Sequence, residues 1–162
     1  VSIEGPRSIK FFRRHPLRSI VLETDVFPGF ATDWQQPFAV MLTQATGISI
    51  IHETVYERRF GYLEALSALG AKTQIETHCL GSVPCRFRGR DFPHSAIVRG
   101  PTELHSEGIT LDVPDLRAGL AYVMAAALAK GETTITSVQR IERGYGELAV
   151  RTKGLGLSLQ AF

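Results

Sequence analysis

Apolar residues recur at helical spacing in two long stretches of the chain, and shorter β-branched runs separate them. In the first stretch they fall on one helical face, with Thr32 or Asp33 available as the capping residue; they are Trp34, Phe38, Met41, Leu42 and Ala45. In the second stretch they occupy nearly every side; they are Leu116, Leu120, Val123, Met124, Ala127 and Leu128. The first pattern predicts an amphipathic helix, and the second predicts a buried helix.

Shorter elements are predicted around these two helices. Gly47 is expected to end the first long helix. A second helix carries the stripe Tyr62, Leu66 and Leu69 and is expected to end at Gly70, and a further helix is predicted over 145–153. Runs rich in β-branched residues predict strands over 48–51, 72–77, 95–98, 108–113, 133–138 and 157–162.

Four landmarks recur in both halves of the chain at nearly constant separation, which indicates an internal duplication. The pairs and their separations are Asp33 and Asp115 (82), Gly47 and Gly131 (84), Arg59 and Arg143 (84), and Gly70 and Gly156 (86). We therefore predict one α/β domain over 1–162, built from βαβαββ units at about 24–98 and 99–162. A doubly wound nucleotide-binding fold is disfavoured because no G-x-G-x-x-G motif follows a strand.

Charge and composition exclude several classes of protein. With 44% hydrophobic and 21% charged residues, the 162-residue chain has the composition of an ordinary globular domain. Its net charge of +2 is too small to predict a nucleic-acid partner or binding to a membrane surface. No apolar run reaches the ~18 residues of a membrane span, and no signal peptide opens the chain. A cytoplasmic protein is expected.

Two cysteines, Cys79 and Cys85, flank a turn that contains Gly81. No second Cys/His pair at zinc spacing accompanies them, and two cysteines do not form a disulfide framework. His78 is adjacent to Cys79, but neighbours along a strand point to opposite faces. We interpret both as thiols in a reducing cytoplasm and expect neither a metal nor a cofactor.

The repeat places an acid at the start of each long helix and an arginine before each following helix. Taken singly, Asp33 and Asp115 are most simply helix caps, and Arg59 and Arg143 are most simply surface arginines. Together with Arg117, they suggest a site for a phosphorylated, carboxylated ligand, with a carboxylate available as a base.

Four motifs in this chain resemble those of the UDP-N-acetylglucosamine 1-carboxyvinyltransferase family of enolpyruvyl transferases. They are PGFATDWQ at 28–35, ETVYERRF at 53–60, DLRA at 115–118 and RGY at 143–145. The resemblance implies a two-domain enzyme in which each domain is an inside-out α/β barrel of βαβαββ units. This chain is then similar to most of the C-terminal domain, with the N-terminal domain as its partner.

The resemblance also implies a reaction and roles for individual residues. The enolpyruvyl group of phosphoenolpyruvate moves to the 3-hydroxyl of UDP-N-acetylglucosamine and phosphate is released, without a metal or cofactor. The implied roles are Asp33 as the base, Asp115 and Arg59 as polar residues of the cleft, Val55 and Tyr56 at the nucleotide sugar, and Arg117 and Arg143 at phosphoenolpyruvate. The family works in peptidoglycan synthesis, and hence in cell-wall biogenesis, cell shape and cell division.

The family's acid that protonates phosphoenolpyruvate belongs to the other domain, and neither Cys79 nor Cys85 lies in a matching motif. We therefore expect this chain to supply half of the site and to be inactive alone. Two alternatives remain open. One is the sister enzyme 5-enolpyruvylshikimate-3-phosphate synthase, and the other is a catalytically silent paralogue that binds a nucleotide sugar.

Overall fold

Short strands alternate with helices in the computed structural model, which describes residues 2–3, 9–82, 85–155 and 157. The strands are β1 Ser2–Ile3, β2 Ile9–Lys10, β3 Val21–Glu23, β4 Gly47–His52, β5 Lys72–Glu76, β6 Ser95–Gly100, β7 His105–Asp112 and β8 Lys130–Thr136. The helices are α1 Thr32–Leu42, α2 Tyr62–Ala68, α3 Leu116–Leu128, α4 Gln139–Tyr145 and α5 Leu148–Lys153. The expected α/β class is confirmed.

The strands form separate sheets rather than one closed barrel within the described residues. One sheet has the order β3-β4-β6-β5, in which β3 and β4 run parallel and β6 is antiparallel to both β4 and β5. A second sheet pairs β7 with β8 in parallel, and a third pairs β1 with β2. Helix α1 connects the parallel strands β3 and β4, and α3 connects β7 and β8, as parallel pairing requires a crossover.

Helices α1 and α3 pack against each other and anchor the core. Helix α3 buries small side chains, Ala118, Ala121 and Ala125, and its Gly119 lies against Ile141 of α4. A methyl group added at Gly119 would come within 2.6 Å of Ile141 Cγ1. The small residues on α3 therefore allow neighbouring helices to approach closely, and this brings the start of α3 near the start of α1.

The prediction for the buried face of α1 is confirmed at Leu42 and Ala45, which are buried, and is wrong at Trp34. Trp34 is 65% exposed and Phe38 and Met41 are only half-buried, whereas Gln35 and Gln36 are buried. The reason is a polar partner inside the molecule, because Gln35 Nε2 donates to the carboxylate of Glu53 and Gln35 Oε1 accepts from Tyr62. A buried amide that is hydrogen-bonded on both sides is tolerated in a core.

Several boundaries also differ from expectation. Helix α1 ends at Leu42, and Gly47, at φ +110°, begins β4 instead of ending the helix. The helix expected over 145–153 starts only at Leu148, as α5, and a helix that the sequence did not predict, α4, ends at Tyr145. The two are separated because Gly146 and Glu147 have positive φ values of 20° and 54°. Strand β8 starts at Lys130, before the predicted 133.

The strand predicted over 157–162 falls, apart from residue 157, outside the described residues, as does the repeat landmark Gly156. The division into two repeat units stays a prediction. None of the helices in the described ranges has the length and apolar content needed to cross a bilayer.

Candidate active site

The side chains of Asp33, Arg59 and Arg117 meet at one point of the surface. Asp33 lies in the first turn of α1, Arg59 precedes α2, and Arg117 lies in the first turn of α3. Asp33 Oδ1 lies 2.7 Å from Arg59 Nη2 and 3.5 Å from Arg117 Nε. The N-terminal turns of two helices, both favourable for anions, therefore adjoin beside two guanidinium groups.

Tyr56 joins this group through its ring. The Cζ atoms of Arg59 and Arg117 lie 5.3 Å and 5.7 Å from the centroid of the Tyr56 ring. Both distances are within the range of a cation–π contact, so the aromatic ring helps to hold the two guanidinium groups beside Asp33.

Arg59 is the most deeply placed of these side chains. Its side chain is 9% exposed, against 50% for Arg117 and 56% for Asp33. Its Nε atom is buried and has no hydrogen-bond partner among the described residues. A buried donor without a partner costs about 1–3 kcal/mol and is uncommon in folded proteins.

Glu53, fully buried at the end of β4, organises the loop that carries Val55 and Tyr56. Its Oε1 accepts from the backbone N–H groups of Val55 and Tyr56, at 2.8 and 2.9 Å. Its Oε2 accepts from Thr32 Oγ1 and Gln35 Nε2, both at 2.7 Å. Four donors satisfy the buried carboxylate and tie the Val55–Tyr56 loop to the start of α1.

Tyr62, on α2, extends this hydrogen-bond network into the core. Its hydroxyl donates to Gln35 Oε1 at 3.0 Å, and the side chain is buried. Burial, followed by the nearby charge of Glu53, raises the pKa of Tyr62 well above its ordinary value. Tyr62 therefore acts as a neutral donor that fixes the orientation of the Gln35 amide.

The two repeat-related acids behave differently. Asp33 is not the cap of α1, because Ala31 holds that position without a side-chain hydrogen bond. Asp115 does cap α3, since its Oδ1 accepts from the backbone N–H groups of Arg117 and Ala118 at 2.7 and 3.0 Å. Asp115 thus fixes the turn that carries Arg117, while the Asp33 carboxylate points at the arginines.

Arg143 is exposed on α4 and forms no ion pair with the described residues. Its neighbour Gly144 packs on Leu116, where an added methyl group would lie 2.5 Å from Leu116 Cδ1. The end of α4 that carries Arg143 therefore adjoins the residue before Arg117. Of the expected site residues, the structure brings Asp33, Tyr56, Arg59 and Arg117 into contact. Val55 is held by its backbone N–H group, and the Asp115 carboxylate caps the helix that carries Arg117.

Glu53 and Gln35 were not among the expected site residues. Glu53 and Gln35 lie within the motifs at 53–60 and 28–35, but those motifs gave neither residue a role, and a helical pattern offers no reason to bury Gln35. Both are identified only once the strand and helix are packed together.

A second cluster of reactive side chains lies in and beside the connection from β5 to β6. Although no histidine at zinc spacing accompanies the cysteines in the sequence, Cys79 Sγ lies 3.2 Å from His94 Nε2 and 3.5 Å from Cys85 Sγ. Burial, followed by the hydrogen bond with Cys85, raises the pKa of the Cys79 thiol. A thiol so shifted is not an activated nucleophile.

A family model described as EPSP synthase (3-phosphoshikimate 1-carboxyvinyltransferase) matches residues 4–150. The chain belongs to this family. It is 49% identical over 156 residues to the UDP-N-acetylglucosamine 1-carboxyvinyltransferase of Chlamydia pneumoniae, covering 95% of this chain and 34% of that protein. It is also 49% identical over 152 residues to the enzyme of that name from Protochlamydia amoebophila, covering 93% of this chain and 32% of that protein.

Among solved structures, the chain is similar to the enolpyruvyl transferase NikO from Streptomyces tendae. The TM-score is 0.74 at 29% sequence identity, and the match covers 90% of this chain and 29% of that one. The enolpyruvyl transferase-like fold implied by the four motifs is thereby confirmed. The chain spans about a third of the length of the curated relatives that it matches.

Proposed function

We propose that this chain forms one wall of the active site of an enolpyruvyl transferase. The reaction moves the enolpyruvyl group of phosphoenolpyruvate to the 3-hydroxyl of UDP-N-acetylglucosamine and releases phosphate. The observation that carries the proposal is the contact of one exposed carboxylate, Asp33, with the guanidinium groups of Arg59 and Arg117. The names of the relatives that are 49% identical support the choice of substrates.

The proposed chemistry is an addition followed by an elimination. Asp33 takes the proton of the sugar 3-hydroxyl as that oxygen bonds to C2 of phosphoenolpyruvate, while an acid outside this chain protonates C3. The resulting tetrahedral ketal then loses a proton from C3 and releases phosphate, which restores the double bond. The Asp33 side chain is 56% exposed, so a substrate hydroxyl can reach its carboxylate at the hydrogen-bond distance that proton transfer requires.

The arginines stabilise the charge of the substrate. Phosphoenolpyruvate carries a carboxylate and a phosphate, and guanidinium groups bind both with two parallel hydrogen bonds. Arg117 and Arg143 are proposed to hold these groups, and Arg59 lies at the same cleft. Preorganised donors of this kind contribute about 3 kcal/mol each to stabilisation of the transition state.

The loop held by Glu53 is proposed to contact the nucleotide sugar through Val55 and Tyr56. Its backbone N–H groups are already bonded to Glu53, so the loop is rigid before substrate binds. Asp115 is proposed to act as a polar residue of the cleft in addition to capping α3.

The rest of the site is proposed to lie on an N-terminal domain that closes over these residues and excludes water from the ketal. The chain alone is then inactive. In the cell the enzyme is proposed to work in the cytoplasm, in peptidoglycan synthesis, and so to support cell shape and division.

The proposal is tested by measuring phosphate release from phosphoenolpyruvate by the full-length protein. The acceptor is UDP-N-acetylglucosamine in one assay and shikimate 3-phosphate in the other. We expect release that depends on UDP-N-acetylglucosamine and does not occur with shikimate 3-phosphate. Release only with shikimate 3-phosphate would favour the second candidate, the reaction named in the description of the matching family model. Binding of the nucleotide sugar without release with either acceptor would indicate a silent paralogue.

A further inference from the structure

Two cysteines and two histidines meet at the ends of β4 and β6, in and beside the connection 77–94. His52 is the last residue of β4, His94 directly precedes β6, and both are fully buried. Candidate ligand atoms of His52, Cys79 and Cys85 all lie within 4.8 Å of one another. His94 Nε2 lies 3.2 Å from Cys79 Sγ, so a fourth candidate ligand adjoins this group of three.

We propose that these four side chains bind a zinc ion. With the usual Zn–S and Zn–N bond lengths, a tetrahedral site separates two sulfurs by about 3.8 Å and a sulfur from a nitrogen by about 3.5 Å. The corresponding distances are 3.5 Å between the two Sγ atoms and 3.2 Å between Cys79 Sγ and His94 Nε2. These two pairs of atoms need to move apart by only a few tenths of an ångström to accept the ion. His94 must also approach the other ligands more closely, because among the described residues the group whose atoms all lie within 4.8 Å of one another contains only His52, Cys79 and Cys85.

The hydrogen bonds behind the histidines fit the same role. His94 Nδ1 lies 2.6 Å from the carbonyl oxygen of Phe92, so Nδ1 carries the proton and Nε2 presents a lone pair towards Cys79. His52 Nδ1 lies 2.9 Å from Ser95 Oγ, and we assign its Nε2 to the metal. Metal-binding histidines are typically oriented by such a contact to the nitrogen that does not bind the metal.

The charge of the cluster favours zinc over a hard cation. Two thiolates neutralise the charge of Zn²⁺. Thiolate and imidazole ligands bind Zn²⁺ in preference to Mg²⁺ or Ca²⁺. Neutrality matters here because the histidines are buried and because Arg88 and Arg90 line an adjoining cavity of about 630 Å³. Cys79 borders the same cavity, which provides a path for the ion.

The proposed zinc has a structural role in this fold. The connection 77–94 exceeds the about 12–15 residues beyond which a loop without secondary structure is uncommon in a compact domain. The part that the structure describes contains no helix or strand. Its one fully buried apolar side chain among the described residues, Phe87, has its ring centroid 5.7 Å from that of the buried His94 ring. Four protein ligands leave no open position on the ion, as in structural zinc sites.

The metal content of the full-length protein tests the site. We expect about one Zn²⁺ per chain after purification without chelator, with two sulfur neighbours near 2.3 Å and two nitrogen neighbours near 2.0–2.1 Å by X-ray absorption. Substitution of Co²⁺ for Zn²⁺ should give the visible bands of a tetrahedral thiolate complex. Cys79→Ser and His94→Gln should each lose most of the bound metal.

His78→Gln is the matched control, since His78 is exposed and adjacent to Cys79 but outside the cluster. It should retain the metal. The X-ray absorption of the zinc form and the visible spectrum of the Co²⁺ form, both measured on the unaltered protein, test the proposed ligands even where a variant fails to fold. A protein without bound zinc, a Cys79–Cys85 disulfide under reducing purification, or zinc content unchanged in Cys79→Ser would each overturn the proposal. The test does not depend on the proposed transferase activity.

Discussion

Glu53 shows how a single buried carboxylate can position a functional loop without taking part in the chemistry. It accepts four hydrogen bonds, two from side chains of α1 and two from the backbone of the loop at Val55 and Tyr56. Because the side chain is fully buried, no water can replace a lost partner. Its charge and both of its oxygens are therefore needed.

Glu53→Gln tests this role. The amide NH₂ group cannot accept, so two of the four donors lose their partner, at about 1–3 kcal/mol for each buried group. We expect the free energy of unfolding to fall by about 2–5 kcal/mol in urea titrations. Glu107→Gln, an exposed control on β7, should stay within about 0.5 kcal/mol of the unaltered protein. Equal stability of the two variants would contradict the account.

Tyr62 is expected to make the folded state less stable at alkaline pH. Its pKa is raised in the folded state, first by burial and then by Glu53, so the folded protein keeps a proton that the unfolded chain loses above about pH 10. The corresponding stability is complete below that pH and is lost as pH rises. Urea titrations at about pH 9 and pH 11 should show a smaller loss for Tyr62→Phe than for the unaltered protein. An equal loss of stability in the two proteins would show that ionisation of Tyr62 does not contribute to it. Tyr122, whose pKa is also raised by burial, is present in both proteins.

At the scale of elements, the sequence predicts where helices form better than it predicts which face of a helix is buried. Periodicity identifies α1, α2 and α3, and Gly70, at φ +93°, ends α2 as expected. It fails at the start of α1, where Trp34 is exposed and Gln35 enters the core to meet Glu53 and Tyr62, which are distant in sequence. The hydrophobic pattern alone cannot predict that a glutamine whose amide group is fully hydrogen-bonded is buried.

The packing of α3 against α4 gives a prediction at this scale. Gly119→Ala places a methyl group 2.6 Å from Ile141 Cγ1, so overpacking should outweigh the higher helix propensity of alanine. We expect the free energy of unfolding to fall by about 1–3 kcal/mol. Gly61→Ala is the control, because nothing lies within 4 Å of its added methyl group. If the two variants are equally stable, α3 and α4 are not packed as described.

At the scale of the whole molecule, the candidate site could be predicted from repeat positions and motifs, while the zinc cluster could not. Asp33 and Arg59 are marked by their recurrence as Asp115 and Arg143, and Arg117 by its place in the motif DLRA at 115–118. The four residues of the cluster extend from His52 to His94, across two strands and a helix, at spacings that match no short metal-binding motif. Only the pairing of β4 with β6, which sets His52 opposite Ser95, brings them together.

The two sites are connected through the fold. Arg86, next to Cys85, donates a hydrogen bond to the carbonyl oxygen of Val55 and lies 3.4 Å from Glu57. Arg58 places its guanidinium 5.5 Å from the ring of Phe92. The loop that carries Val55 and Tyr56 is therefore held by Glu53 on one side and by the 77–94 connection on the other.

Replacement of Asp33 tests the central claim most directly, with phosphate release by the full-length protein as the measurement. Asp33→Asn keeps the size of the side chain but removes the base and its charge, and loss of general-base catalysis lowers the rate about 10²–10⁴-fold. We expect that decrease in kcat for release dependent on UDP-N-acetylglucosamine, with Glu107→Gln at the rate of the unaltered protein. An Asp33→Asn enzyme that releases phosphate as fast as this control would contradict the account.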